Sequence, residues 1–205
     1  QGGSILAGVY SVPLVLATCA PRWLVSQEPA LLLTLTTSSV RQSFFDQGKL
    51  RFSRLTPLAT RSPTEVARAC ASESLKTYQY LVGQHLIPRD APLRTVILAP
   101  GEQQPAIQEY CHGSSHLIFE FIGLAETAHR DKLKTPAGNL TADALLIHEL
   151  AQKTPAQQFA PAAERRFYHL WQIRFALTAA AAVILASGLL FSAKTMFGVY
   201  TQRQE

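Results

Sequence analysis

The sequence predicts an α/β domain followed by one transmembrane helix. Short apolar segments bounded by turn residues predict strands, and longer segments between the later strands predict helices. Between Arg174 and Lys194 lie 19 consecutive uncharged residues, and a membrane-spanning helix needs about 20 apolar residues. The chain is 47% hydrophobic and only 16% charged. This composition excludes a disordered chain, because apolar residues are abundant and the net charge is small.

The first apolar segment, residues 4–20, has two interpretations. A secretory or lipoprotein leader would be cleaved before Cys19, but the segment lacks a positively charged start and contains Pro13 in its middle. The alternative is a buried element of a globular domain that ends in a loop at Pro21. We favour the buried element, because the rest of the chain has the character of a cytoplasmic protein.

Three strands are predicted next, and we expect them to form an antiparallel meander of residues 31–36, 40–45 and 49–55. The connection Asp46-Gln47-Gly48 suits a hairpin, because glycine adopts a positive φ easily. Strict alternation along the third strand would place Leu50 and Phe52 on one face, with Arg51 and Ser53 on the other.

Helices and strands alternate in the second half of the domain. Ser62-Pro63-Thr64-Glu65 has the form of a capping box and predicts a helix that runs to about Gln84. Strands are predicted at 95–98 and 117–122, and helices at 104–112 and 140–152. This order is typical of an α/β layer, so we expect the later strands to pair in parallel. The candidates for the buried side of the first helix are Val66, Cys70, Thr77, Tyr80 and Leu81.

The domain boundaries follow from this pattern. We expect a cytoplasmic domain at 1–153, a juxtamembrane connector at 154–174, a transmembrane helix at 175–193 and the start of a truncated periplasmic part at 194–205. The chain begins with Gln, so we expect a piece of a longer protein. Cations are in excess before the span, which predicts that the preceding domain is cytoplasmic. The predicted membrane-anchoring residues are Arg165, Arg166, Trp171, Arg174, Phe175, Phe191 and Lys194.

No residue pattern predicts a catalytic, cofactor or metal site. Cys111, His112 and His116 are the densest group of potential ligands, but they straddle a Gly-Ser-Ser turn and lack a fourth ligand. The chain has neither a nucleophile elbow nor a P-loop. Its three cysteines are odd in number and widely spaced, which predicts no disulfide framework and favours a reducing compartment. We therefore expect no enzymatic activity and no cofactor.

The predicted hairpin is basic. Residues 41–68 carry six basic and two acidic side chains, so Arg41, Arg51 and Arg54 form a candidate interaction surface. Such a surface could contact acidic partners, nucleic acid or anionic lipid headgroups. The alternative, a solvated sheet face with alternating charges, is the interpretation that we favour.

The segment Leu31–Leu58 resembles the second phosphate-loop hairpin of the actin-like proteins that build pili and secretion machines. These are the type IV pilus PilM group, the type II secretion GspL group and the MSHA biogenesis MshI group. Leu50-Arg51-Phe52-Ser53-Arg54 is similar to the third strand of that hairpin, and Glu73-Ser74-Leu75-Lys76 is similar to the helix that follows it. Residues 158–168, placed before a span, are similar to the membrane-anchored members. The resemblance implies a partial actin-like (ribonuclease-H-like) domain.

One difference from the nucleotide-binding members is important. Where they carry Asp-x-Gly, this chain has Thr34-Leu35-Thr36 and then Thr37-Ser38-Ser39. It therefore lacks both the metal-linked carboxylate and the glycine that lets backbone N–H groups approach phosphate.

The resemblance thus implies a scaffold of the bacterial inner membrane without its own ATPase activity. Its expected partners are other pilus or secretion assembly proteins and the membrane, with no nucleic acid, and a second copy is expected to associate through the transmembrane helix. Two alternatives remain open. One is an ATPase completed by a missing N-terminal half, and the other is a secreted lipoprotein anchored at Cys19.

Overall fold

The computed structural model describes residues 6–24, 27–36, 38–59, 62–133 and 140–202. The chain divides into two compact units. One unit, Tyr10–Gln157, is the α/β domain. The other combines the segment up to Val9 with the segment from Gln158 onward, and it contains the long apolar helix.

Five strands form one mixed sheet within the described part of the domain. They are β1 (Ala30–Leu35), β2 (Ser39–Asp46), β3 (Lys49–Pro57), β4 (Leu93–Ala99) and β5 (Leu117–Gly123). The strand order is β3-β2-β1-β4-β5. The pairs β1–β2 and β2–β3 are antiparallel, whereas β1–β4 and β4–β5 are parallel. The predicted meander and the predicted parallel pairing of the later strands are therefore both confirmed.

Helices cover both faces of this sheet. They are α1 (Val12–Leu24), α2 (Pro63–Gly83), α3 (Gln104–Tyr110), α4 (Leu124–Arg130) and α5 (Ala142–Gln152). A short 3₁₀ turn precedes α3. One hydrophobic cluster joins α1, α4 and α5 to the sheet, and a second joins α2 and α3 to the opposite face. Because β1 lies between two covered faces, all six of its residues are buried.

The N-terminal apolar segment is buried only in part: Val15, Leu16, Cys19 and Ala20 on α1 are buried, whereas Val9 is 45% exposed. Cys19 is fully buried on α1, and burial, with Glu149 nearby, raises the pKa of its thiol to about 12. The expected loop at Pro21 is wrong, because α1 continues through Pro21 to Leu24. Trp23 and Leu24 extend the apolar face of this helix into the core, which favours the helix despite the missing proline N–H.

The hairpin contains a feature that alternation did not predict. Its two-residue turn has positive φ at Gln47 (51°) and Gly48 (69°), as a type I′ turn requires. The β2–β3 register shifts between Phe44 and Phe45. Because this bulge inserts one residue, Leu50 packs into the α1 cluster and Phe52 into the α2 cluster. The expectation that Leu50 and Phe52 share a face is therefore wrong.

Two details of α2 also differ from expectation. Ser62 occupies the N-cap position, but its side chain makes no capping hydrogen bond, and Glu65 instead pairs with Arg68 at 3.4 Å. Tyr80, expected on the buried side, is 47% exposed. It lies against the ring of Phe52 at 5.1 Å between centroids, so it covers the outer strand rather than entering the core.

The second unit contains α6 (Ala162–Gln202), which is 41 residues long. Within this unit, Phe159 N donates a hydrogen bond to Val9 O at 2.8 Å. Residues 162–174, expected as connector, are helical and continuous with the apolar segment.

Candidate membrane anchor and interaction surfaces

The apolar part of α6 has the length and composition of a membrane span. Within the described residues, Ala162–Lys194 is the one helix that meets both criteria, with a mean hydropathy of 2.1 in its most apolar window. None of that window is buried by protein. The 19 uncharged residues extend about 28 Å at about 1.5 Å per residue, and the hydrocarbon core of a bilayer is about 30 Å thick.

Aromatic rings mark the start of this span. Tyr168 stacks on Trp171 at 6.0 Å, and Trp171 stacks on Phe175 at 5.9 Å. The spacings i, i+3 and i+7 place the three rings on one side of the helix. Trp171 is 50% exposed and Phe175 is 67% exposed. Three stacked aromatic side chains at this position are suited to the interfacial layer of a membrane.

The predicted anchoring cations flank the same segment. Arg165 and Arg166 lie in the first turns of α6, and the guanidinium of Arg166 lies 5.4 Å from the ring centroid of Phe167. Arg174 directly precedes the apolar segment and Lys194 directly follows it. Phe191, at the far end, is 73% exposed. All seven predicted anchoring residues therefore lie on one continuous helix.

Each of the three arginines predicted as an interaction surface contacts a partner within the domain. Arg41 Nη1 contacts Ser53 Oγ at 3.4 Å, and burial lowers the pKa of Arg41 although Asp143 opposes that change. Arg51 pairs with Asp46 at 3.5 Å. Arg54 Nη2 lies 3.6 Å from Oε2 of Glu73 on α2. Each arginine already has a partner within the domain, which removes much of the unpaired charge that the composition indicated.

A buried polar network connects β2 and β3 to α2. Gln42 is fully buried, and its Nε2 donates to Thr56 Oγ1 at 3.0 Å and to Glu73 Oε2 at 3.3 Å. Thr77 Oγ1 donates to Gln42 Oε1 at 2.5 Å. Lys76 Nζ donates to Glu73 Oε1 at 2.6 Å. The outer strand is therefore fixed to the helix by hydrogen bonds as well as by apolar contacts.

Glu73 is the centre of this network. Burial opposes its ionisation, but hydrogen bonds from Lys76, Gln42 and Thr56 outweigh burial and lower the pKa of its carboxyl. Arg54 adds a contact at 3.6 Å to Glu73 Oε2. Arg54 belongs to one of the segments that carry the family resemblance, and Glu73 and Lys76 belong to the other. The fold thus brings the two segments into direct contact.

The turn between β1 and β2 contains the residues that the resemblance aligns with a phosphate loop. The hydroxyl of Thr36 accepts hydrogen bonds from the backbone N–H groups of Ser38, at 3.4 Å, and Ser39, at 3.1 Å. Thr36 N donates to Ser39 O at 3.0 Å. Among the described residues of the turn, the N–H groups of Ser38 and Ser39 are therefore engaged within the turn itself.

A charged cavity of about 560 Å³ lies beside α1 and the C-terminal ends of α4 and α5. Arg22 bonds to the buried Glu149 and lies 3.9 Å from Asp131. His148 Nε2 lies 2.9 Å from the backbone oxygen of Asp131. These contacts bind three helices together, and no local pattern predicts them, because Arg22 and Glu149 are 127 residues apart.

The Cys111 group is dispersed in the fold. Cys111 is buried and lies 3.7 Å from Ala67 O, whereas His116 stacks on Tyr78 at 5.2 Å. Within the described residues, no three His, Cys, Asp or Glu side chains are placed to hold a metal ion.

No protein-family model matches this chain, and no curated protein matches it significantly. Its function is therefore inferred from its own residues and geometry.

Proposed function

We propose that this chain is part of a membrane-anchored scaffold of a pilus or secretion assembly machine, with a degenerate actin-like domain in the cytoplasm. The observation that carries the proposal is the exposed apolar segment of α6, which is attached to a folded α/β domain. Arg165, Arg166 and Arg174 precede the span, and an excess of cations favours the cytoplasmic side. A single-pass anchor in the bacterial inner membrane is consistent with this distribution.

Two features support the actin-like part of the proposal. The sheet order β3-β2-β1-β4-β5, antiparallel in the meander and parallel beyond it, agrees with the fold that the resemblance implies. The two segments that carry the resemblance also meet, at Arg54, Glu73 and Lys76.

The turn at Thr36 supports a role without nucleotide hydrolysis. Its described N–H groups bind the Thr36 hydroxyl, and no carboxylate stands where the nucleotide-binding members carry Asp. A scaffold instead needs a fixed shape and surfaces for partners, and the network around Glu73 fixes the outer strand. We therefore assign binding of assembly proteins, and not catalysis, to the domain.

Two measurements test this proposal. Titration calorimetry of the chain in nanodiscs with magnesium and ATP should show no binding at millimolar nucleotide, whereas saturable magnesium-dependent binding would refute the pseudo-enzyme part. Deletion of the gene in its own bacterium should reduce pilus display or protein secretion, and the intact gene should restore it. Normal pili and normal secretion in the deletion strain would refute the assembly role.

A further inference from the structure

The strand β5 forms one edge of the sheet, and within the described residues it pairs only with β4. The opposite edge strand, β3, carries Lys49, Arg51 and Arg54 and lies beside a bulge. Charges and bulges hinder the pairing of an edge with another strand. β5 has no bulge in its register and carries one charged side chain, Glu120. The two edges of the sheet therefore differ in their capacity to accept a further strand.

The sequence of β5 is a palindrome. Residues 118–122 read Ile-Phe-Glu-Phe-Ile in both directions about Glu120. In an antiparallel pair of two such strands with a two-fold axis at Glu120, Ile118 lies opposite Ile122 of a second copy. Phe119 then lies opposite Phe121, and Glu120 lies opposite Glu120. Isoleucine therefore meets isoleucine and phenylalanine meets phenylalanine, which suits cross-strand pairing.

The meeting of two Glu120 carboxylates would be unfavourable if they were unpaired. Here Arg94 neutralises the carboxylate with two hydrogen bonds, Nε to Oε1 at 2.8 Å and Nη2 to Oε2 at 2.6 Å. Arg94 Nη1 is itself held by Leu24 O at 2.8 Å. Hydrogen bonds from Arg94 lower the pKa of Glu120, so the pair stays ionised. Each copy thus brings a neutral ion pair to the axis.

The apolar side chains of β5 are also partly exposed to solvent. Ile118 is 49% exposed, and Phe119, Phe121 and Ile122 are only partly buried. Alternation places Ile118 and Ile122 on the face of Arg94, and the two phenylalanines on the other face. Pairing of two copies would therefore extend the apolar contacts on both faces of the sheet.

We propose that β5 is a homodimerisation strand, and that a second copy of this chain pairs with it antiparallel about a two-fold axis at Glu120. The product is a continuous ten-stranded sheet with an isologous interface. This inference goes beyond the proposed function and does not depend on its machine or partners. Confinement of two copies to one membrane would raise their effective concentration and favour this short interface.

Disulfide trapping tests the axis directly. In the proposed register the Cα atoms of residue 120 in the two copies lie about 4.5–5.5 Å apart, which suits a disulfide. The Cα atoms of residue 118 lie about 13 Å apart along the strands. In membrane vesicles from expressing cells, oxidation of E120C should give about tenfold more disulfide-linked dimer than oxidation of I118C. The native cysteines are buried and give the background.

A second set of variants keeps the ion pair between Arg94 and Glu120 intact. Neither I118C nor I122C should link copies efficiently, whereas the double variant I118C/I122C should, because positions 118 and 122 face each other. This result is independent of any damage from the loss of Glu120. Failure of both E120C and the double variant to form linked dimers would overturn the proposal. Equal linking by single I118C would also overturn it, since that indicates a different register or random collision.

Discussion

Replacement of Thr77 by valine should destabilise the domain, because it removes a buried hydrogen bond without changing the shape of the side chain. Thr77 and Gln42 are almost fully buried, and their side chains are joined at 2.5 Å. T77V leaves Gln42 Oε1 in the core without this donor. A buried acceptor without a partner costs about 1–3 kcal/mol. Threonine and valine have similar helix propensities, so this loss should dominate.

Replacement of its partner Gln42 by leucine, Q42L, should lower the stability of the domain further. It leaves the Thr77 hydroxyl without its acceptor, at about 1–3 kcal/mol, and removes a donor to the charged Glu73 carboxylate, which adds about 1.5–3 kcal/mol. We expect a total loss of about 2.5–6 kcal/mol in the free energy of unfolding. The double variant removes both members of the pair, so its loss should be about 1–2 kcal/mol smaller than the sum of the single losses.

Chemical denaturation of the full chain in detergent micelles measures these losses. Trp23 is 2% exposed and reports on the core, and a W171F background leaves it as the only tryptophan. Q79L replaces an exposed glutamine on the same helix and should change stability by less than about 0.5 kcal/mol. Two outcomes would show that the pair does not connect α2 to the meander: the double variant loses the full sum of the two single losses in free energy of unfolding, or T77V has the stability of the wild type.

Three further predictions concern Glu73, the span and the cysteines. Because the pKa of Glu73 lies below its ordinary value of 4.5, its carboxylate stabilises the fold above that pH, and this contribution is lost as the pH falls through the folded-state pKa. Wild-type stability should therefore fall more steeply below pH 4.5 than that of E73Q, and equal pH profiles would contradict the assignment. L185R should reduce the fraction of chain that resists carbonate extraction, since an arginine near the centre of a span costs about 2.5–3.5 kcal/mol of insertion free energy. L86R on the domain surface is the matched control. Burial raises the pKa of Cys19, Cys70 and Cys111 to about 12, 12 and 11. A thiol reagent at pH 8 should therefore label these cysteines only after denaturation. Rapid labelling of the native chain would be inconsistent with this core.

The sequence predicted the elements whose pattern is local. The apolar run of β1, the turn at Gly48 and the uncharged stretch of α6 each carry their own signal. No sequence pattern predicts the helix α4, because its seven residues are too few to show a period. It forms because Leu124 and Ala128, one turn apart, pack into the core beside α1 and α5.

Contacts between distant residues were harder to predict. The bulge beside Phe44 changes the face of Phe52, and nothing in the alternation of β3 signals it. A polar residue in a strand, such as Gln42, is expected on the solvent side. Gln42 is nevertheless buried, because Glu73 and Thr77, more than 30 positions later, form hydrogen bonds with its amide. The arginine surface was inferred from composition, whereas pairing with Asp46 and Glu73 depends on the folded register.

Topology is the most direct test of a membrane-anchored cytoplasmic domain. Lys153 is exposed near the end of the domain, and the described native cysteines are buried, so K153C provides one reactive thiol. The protein should stay in the membrane fraction after carbonate extraction. A membrane-impermeant maleimide should label K153C in inverted inner-membrane vesicles and not in intact spheroplasts. Labelling in intact spheroplasts, or recovery of the chain in the soluble fraction, would show that the domain is not anchored in the membrane on its cytoplasmic side.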